Sequence, residues 1–358
     1  MNRFLLVDVG AGTMDIMYYD RAAGLNFKAV VKSPVQTVAE DIARIPGNLV
    51  VTGGEMGGGP VTDILRERAA KDDVVMSRPA AATLHHEVDR VESWGIRVVS
   101  TREAEKLRND AGFTATTISD IDVGRIEAIV RGFGVPFQFD AVGICAQDHG
   151  VPPAGRSHLE YRHNLFKKVL DQAPTPDSLL YDRARIPETF NRLTSIGNSA
   201  AELPADQIFV MDSGMAAILG ASMDILANDH RRYVVLDVAT SHTVAAAIIE
   251  NELAGFFEYH TRDITCERLD ELLPLLTEGK LSNRQILDEG GHGAYVRKSF
   301  PFSSNGLILA TGPKRRLVEQ SRLPITFAAP WGDNMMTGCV GLLEAIRRHR
   351  GLEPIVYI

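Results

Sequence analysis

Asp8-Val-Gly-Ala-Gly-Thr-Met-Asp15 joins what read as the first two strands of the chain, and the fold turns on this loop. The residues before it, 3–8, form a short apolar run of β-forming side chains, the pattern of a buried strand. Residues 16–19 and 27–31 read as two further strands with a turn between them, giving three consecutive antiparallel strands. A hairpin tip offers backbone N–H groups, and glycine lets a ligand approach because no Cβ intervenes. Gly10, Ala11, Gly12 and the Thr13 hydroxyl therefore form a candidate phosphate clamp, with Asp15 at its far end. Asp8, at the strand end, can hold Mg²⁺ directly or through water. The same residues also make an ordinary hairpin turn, with Gly for positive φ and Asp for a turn hydrogen bond.

Outward from the loop, strands and helices alternate: helices over 35–45 and 61–70 around a strand at 49–52, a strand near Val74, a helix over 80–91, a strand at 96–99, helices over 102–109 and 123–131, and a strand at 139–145. Such alternation predicts sheets covered by helices, an α/β class. After a less regular stretch the opening pattern returns. A strand at 208–211 and a small-residue helix at 214–226 precede three more strands at 233–237, 243–249 and 253–259. The first of these ends at Asp237 as the first strand of the chain ends at Asp8. The expected division is a first lobe over 1–151, a connection over 152–204, a second lobe over 205–330 and a final helical segment over 331–358.

The second loop, Leu236-Asp-Val-Ala-Thr-Ser-His-Thr243, repeats the strand–Asp–turn layout. Asp237 is a second candidate for magnesium, and Thr240, Ser241, His242 and Thr243 are candidates to meet phosphate. Ala239 stands where a glycine is expected, which leaves an ordinary hydroxyl-rich turn open as a reading. His242 could contact phosphate, act as an acid or base near neutral pH, or be a hydrogen-bonded histidine of no special role. Asp212, heading an Ala/Gly-rich helix, could accept the proton of an attacking hydroxyl or water and is equally a good helix cap. The glycine loop from Gly53 to Gly59 could bind an anion or be flexible. Gly290-Gly-His-Gly293 reads as a turn or loop. His85 and His86, adjacent on a helix, point in different directions and do not make a metal pair.

The 358 residues carry a formal net charge of -8, with 45% hydrophobic and 23% charged residues. That length suits two lobes. The balance argues against nucleic acid as a partner, which needs a concentrated positive field. The longest apolar runs are strand-length, short of the roughly 20 residues a membrane span requires, so no membrane partner is expected. The chain opens directly into a strand without a signal-like segment, and a cytoplasmic location is the expectation. Cys145, Cys266 and Cys339 are dispersed, matching neither a disulfide framework nor a zinc or iron–sulfur site.

Taken in order, these motifs resemble the superfamily of actin, the heat-shock chaperone ATPase domain and the sugar and acetate kinases. The resemblance implies a duplicated ribonuclease H-like (actin-like) α/β fold of two lobes with a nucleotide cleft between them, and ATP with Mg²⁺ as cofactors. Asp8 to Asp15 looks like the first phosphate motif and Asp237 to Thr243 like the second. Ala141-Val-Gly-Ile-Cys-Ala-Gln-Asp-His-Gly150 is similar to a strand-end motif between them, which makes Gln147 and Asp148 candidates to position an attacking water. Asp212 occupies the position of the sugar kinases' catalytic Asp. Leu307-Ile-Leu-Ala-Thr-Gly-Pro-Lys-Arg315 resembles the adenosine turn, so Gly312 and Lys314 are further nucleotide candidates, although Pro313 replaces a usual glycine. Gly338 and Gly341 fit the close-packed final helix. The function implied is an ATPase or phosphotransferase acting on a small molecule or partner protein. Alternatives are a non-hydrolysing nucleotide or metabolite sensor and an ATP-driven activator of a partner enzyme. The Gln-Asp-His-Gly and Gly-Pro-Lys-Arg turns also look like a narrower group sometimes labelled pyruvate formate-lyase activating enzyme. That label implies radical chemistry on three closely spaced cysteines, a spacing this chain lacks.

Overall fold

The computed structural model describes residues 1–153, 158–303 and 306–357. Its N-terminus is the expected antiparallel meander of β1 (Arg3–Val9), β2 (Thr13–Asp20) and β3 (Leu25–Lys32). Phe4, Leu5, Leu6 and Val7 are all fully buried, because β1 lies inside a sheet covered on both faces; hence the continuous apolar run. An inserted unit follows: α1 (Pro34–Arg44), β4 (Leu49–Gly53), α2 (Pro60–Ala69), β5 (Val74–Ser77), α3 (Arg78–Ala81), α4 (Val88–Glu92), β6 (Ile96–Val99), α5 (Thr101–Leu107) and β7 (Thr114–Ile118). Its four strands form a separate parallel sheet in the order β6-β5-β4-β7.

The single helix expected over 80–91 is two short ones. Side chains between them serve other backbone instead: Thr83 Oγ1 accepts from Met56 N–H and His85 Nδ1 from Glu87 N–H, the competition that breaks helices at polar residues.

The chain then returns through α6 (Val123–Gly132) to β8 (Phe139–Ala146), parallel beside β1. Next come α7 (His158–Gln172), β9 (Leu180–Asp182), α8 (Asn191–Ala200), β10 (Ala205–Asp212) and α9 (Ser213–Ala221). The first sheet has the order β3-β2-β1-β8-β10-β9. The boundary expected at 205 is therefore misplaced. β10 pairs with β8 from Ala205 opposite Phe139 to Asp212 opposite Ala146, and β9, inside the expected connection, pairs with β10. Residues 154–157 of that connection lie outside the described residues.

The second sheet starts at β11 (Arg232–Val238) and continues with β12 (His242–Ile249) and β13 (Glu252–His260). After α10 (Cys266–Thr277) and α11 (Asn283–Asp288) come β14 (Gly293–Val296), β15 (Leu307–Thr311) and β16 (Ile325–Phe327), then α12 (Thr337–His349). Its order is β14-β13-β12-β11-β15-β16. A meander flanked by a parallel strand beside its first member thus occurs twice, β3-β2-β1-β8-β10 and β13-β12-β11-β15-β16. This is the duplicated two-lobed actin-like fold.

α9 and α12 pack against each other where glycine alone fits. A Cβ on Gly220 would stand 1.8 Å from Thr337 O, and one on Gly341 1.8 Å from Ala216 O. The core joins β1, β8 and β10 through these helices to Tyr233, Val235, Val244 and Ala246 of the second sheet. Among the described residues no helix is long and apolar enough to cross a membrane.

Candidate functional site

A cleft of about 660 Å³ runs between the lobes, lined by Asp8, Gly10, Ala11, Thr13 and Asp15 on one side and by Asp237, Ala239, Thr240, Ser241 and His242 on the other. In both lobes the first strand of the meander carries Asp as its last residue but one, and the chain reverses with the same hydrogen bond: Gly10 N–H donates to Thr13 O and Ala239 N–H to His242 O, each 3.0 Å. The two turns face each other, since a Cβ on Gly12 would stand 3.0 Å from Thr240 Oγ1. Neither Gly10 nor Gly12 has positive φ, so glycine serves close approach here and not backbone handedness. Gly312, φ +91, is different: a Cβ there would stand 2.5 Å from Val238 O and 2.6 Å from Asp237 Oδ1.

Three carboxylates sit at the base of the cleft. Asp8 accepts from Ser213 Oγ at 3.0 Å, and burial raises its pKa. Asp15 is pushed up to about 8, by burial first and then by repulsion from Asp8; its Oδ1 has no hydrogen-bond partner. Asp237 is raised to about 7 for the same two reasons. Among the described residues none of the three forms an ion pair. Buried carboxylates held this way are costly unless a cation joins them, and an all-oxygen set with room for water suits a hard ion such as Mg²⁺. α12 is shaped around them, for a Cβ on Gly338 would lie 2.0 Å from Asp8 Oδ2.

The remaining sequence candidates divide. Gln147 lines the cleft and its Nε2 donates to Glu258 Oε1. Asp148 lies off the cleft wall, its oxygens taken by Gly150 N–H (2.8 Å) and Leu193 N–H (2.9 Å). Asp212 caps α9 through Met215 N–H and accepts from Arg162 Nη2 at 3.0 Å. Thr243 is buried, its hydroxyl bonded to Thr261 Oγ1 at 3.0 Å. Lys314 is exposed outside the cleft, while Gly312 lines it. His85 and His86 line the opposite wall with Glu55 and the Gly57–Gly59 loop. His86 Nε2 meets Glu55 at 3.1 Å.

Sequence reading missed a charged and imidazole-rich cluster at the junction of the lobes. Arg162 of α7 bridges Asp212 of β10 and Glu258 of β13, all three buried. Burial alone would raise Glu258, but the Arg162 guanidinium holds it well below the usual carboxylate range. Around it stand His149, His242, His260 and His292. Burial keeps His242 and His149 neutral, their pKa values lowered to about 2 and about 3. One signal was available. Glu250 and Asn251, both at positive φ, make the β12–β13 turn; counting outward from it brings His242 opposite Tyr259, within one residue of His260, and the irregularity at Ala247/Ile248 shifts the partner to His260.

Solved structures share the overall plan at low identity. Similar ones include AlfA from the B. subtilis plasmid pLS32 in filament form (8% identity, covering 96% of this chain and 98% of that one, TM-score 0.39). A Bacteroides thetaiotaomicron protein with an actin-like ATPase fold and unknown function is another (9%, 95% and 95%, 0.37). A third is MreB5 of Spiroplasma citri bound to ADP (10%, 98% and 99%, 0.37). Superpositions this loose place no side chain, and the fold rests on the strand order above. No curated protein matches the sequence. A family model does match, over residues 56–317, a span holding Gln147, the second hairpin and the turn at Gly312. The chain belongs to the family described as "Putative pyruvate format-lyase activating enzyme (DUF1786)".

Proposed function

We propose that the cleft binds Mg-ATP, with the phosphates between the turns at 10–13 and 239–242, and uses it for phosphoryl transfer or hydrolysis directed at a small molecule or partner protein. The observation that carries this reading is the pair of identically closed turns, each behind a buried aspartate, facing one another at Gly12 and Thr240. Asp8, Asp15 and Asp237 would hold the magnesium ion, which neutralises charge on the transferring phosphoryl group. Gly312 would admit the nucleoside side of the ligand against the second hairpin. Gln147, fixed by Glu258, is the group left to orient a nucleophile, with Asp212 acting behind it through Arg162.

The family's label names a radical activity that this chain's cysteines do not support: Cys145 and Cys339 are buried and Cys266 stands apart. A second reading, a nucleotide sensor that does not hydrolyse, is favoured by the engagement of both Asp148 and Asp212 in structural bonds. Thermal shift with ATP, ADP and non-hydrolysable ATP, with and without Mg²⁺, followed by phosphate-release assays, tests both. Mg²⁺-dependent stabilisation by ATP is expected; no shift with any nucleotide sinks the proposal. A shift without phosphate release selects the sensor.

A further inference from the structure

His242, His260 and His292 place their ring nitrogens within 4.8 Å of one another, on three different pieces of chain. His242 opens β12 and His260 closes β13, directly opposite in the ladder. His292 precedes β14 and is fastened by its own N–H to Glu258 O at 2.7 Å. Ring centroids lie 4.4–4.9 Å apart, 4.5 Å for His242–His260, 4.9 Å for His242–His292 and 4.4 Å for His260–His292. Two of these rings carry an unspent nitrogen: His242 Nε2 and His292 Nδ1 are buried with no hydrogen-bond partner. Glu258 Oε1 stands 3.5 Å from His292 Nδ1, too long for a hydrogen bond. Buried polar atoms left empty cost free energy, and three converging imidazoles gain nothing from one another without something between them.

We propose that His242, His260 and His292 form a three-imidazole site for a divalent first-row transition metal ion, with zinc as the best fit and its remaining coordination position open to the cleft. Three histidines plus one open position is a donor set suited to a reactive zinc ion. Imidazole nitrogen selects such metals over Mg²⁺, whose oxygen ligands lie at the carboxylates of the two hairpins. Tetrahedral bonds of about 2.0–2.1 Å put neighbouring nitrogens roughly 3.4 Å apart, so the rings need close by at most about 1.4 Å. Glu258, itself held by Arg162 and Gln147, stands beside the same Nδ1 of His292 and adds a negative charge next to the cation. His149 of the first lobe stands next to the cluster, 5.6 Å from His242 and 6.0 Å from His292 between centroids. All four histidines line the same cleft as Asp8 and Asp237. The open position therefore takes water or an oxygen of whatever second molecule enters that cleft.

The test uses the full chain, stripped with chelator and titrated with Co²⁺ and with Zn²⁺ in competition with a chromogenic chelator. One equivalent should bind, with visible cobalt bands of nitrogen ligation and no thiolate charge-transfer band. His260→Gln and His292→Gln should each weaken binding by at least about 100-fold, beyond the 10–100-fold that losing an outer-shell partner costs. A folded chain that binds no stoichiometric metal overturns the site. So does a thiolate band from Cys266, or unchanged affinity in the folded double variant. Should the variants misfold, the cobalt spectrum of the unaltered chain decides alone. Asp8→Ala separates this site from the nucleotide reading: it should keep the cobalt spectrum even where Mg-ATP stabilisation is lost.

Discussion

The two hairpins share a backbone and differ in chemistry. Aligned on their common turn hydrogen bond, Gly10 corresponds to Ala239, Ala11 to Thr240, Gly12 to Ser241 and Thr13 to His242. The strand registers extend the match: Asp15 faces Asp8 where Val244 faces Asp237. One duplicated frame thus carries two carboxylates in the first lobe and one carboxylate with an imidazole in the second. The difference teaches that duplication preserved the geometry of the turn while letting its donor set diverge from hard oxygen towards nitrogen.

The largest expected effect breaks the first hairpin. Asp8→Ala should weaken Mg²⁺-dependent ATP binding by at least about 100-fold, ~2.8 kcal/mol, as read by calorimetry. The nucleotide-free chain should be as stable as before or more so, because Asp8 is a buried charge that also raises Asp15 and Asp237. Retained affinity in a folded variant would refute the assignment of the first clamp. Next comes the second hairpin's support. Gly312→Ala forces a side chain into positive φ and against both Val238 O and Asp237, which should cost about 2–4 kcal/mol in urea unfolding. The position matching Gly312 in the first lobe, by strand register, is Ala146, so only the second lobe should show this sensitivity.

Acid and base separate the hairpins next. Asp15 and Asp237 are raised in the fold from 3.8 to about 8 and about 7. Between pH ~4 and ~8 the folded chain then binds more protons than the unfolded one, and metal-free stability falls as pH rises through that window. His242 is lowered from 6.5 to about 2, so the unfolded chain binds more protons below pH ~6.5 and stability falls as pH drops. Asp15→Asn should flatten the alkaline limb of a melting-temperature profile, and His242→Gln the acid limb. Mg-ATP should flatten only the first. If Asp15→Asn leaves the alkaline limb unchanged, Asp15 is not a buried acid with a raised pKa.

Sequence made the first hairpin legible because glycines and an Asp at a strand end are local features. In the second hairpin it read Ala239 in the place of a glycine, but which side chain stands where Thr13 does depends on how the turn closes: the Ala239–His242 hydrogen bond puts His242 there and not Thr243. The lobe boundary at 205 failed for a related reason: β10 reads like any buried strand, and only its pairing with β8 assigns it to the first sheet. Asp212 was legible as a cap, and it is one. Its partner Arg162 lies 50 residues away, with no local pattern to announce it. The histidine site required both a hairpin register and a loop from beyond α11 to converge.

The smallest expected effects bear on whether the second clamp is degraded. Gly12 faces Thr240 with no room to spare, so Gly12→Ala should push the turns apart and weaken ATP by roughly 3–10-fold, about 0.7–1.4 kcal/mol. Ala239 occupies the place of Gly10, where a Cβ would sit 3.1 Å from Thr13 O. The second turn closes with the same 3.0 Å bond despite carrying that Cβ, so the methyl group does not prevent the turn from forming. Ala239→Gly should therefore change ATP affinity by less than about 2-fold, under roughly 0.4 kcal/mol. A gain of tenfold or more would show that the alanine blocks phosphate approach. The second hairpin would then be a clamp partly closed to nucleotide, and its histidine face its principal business.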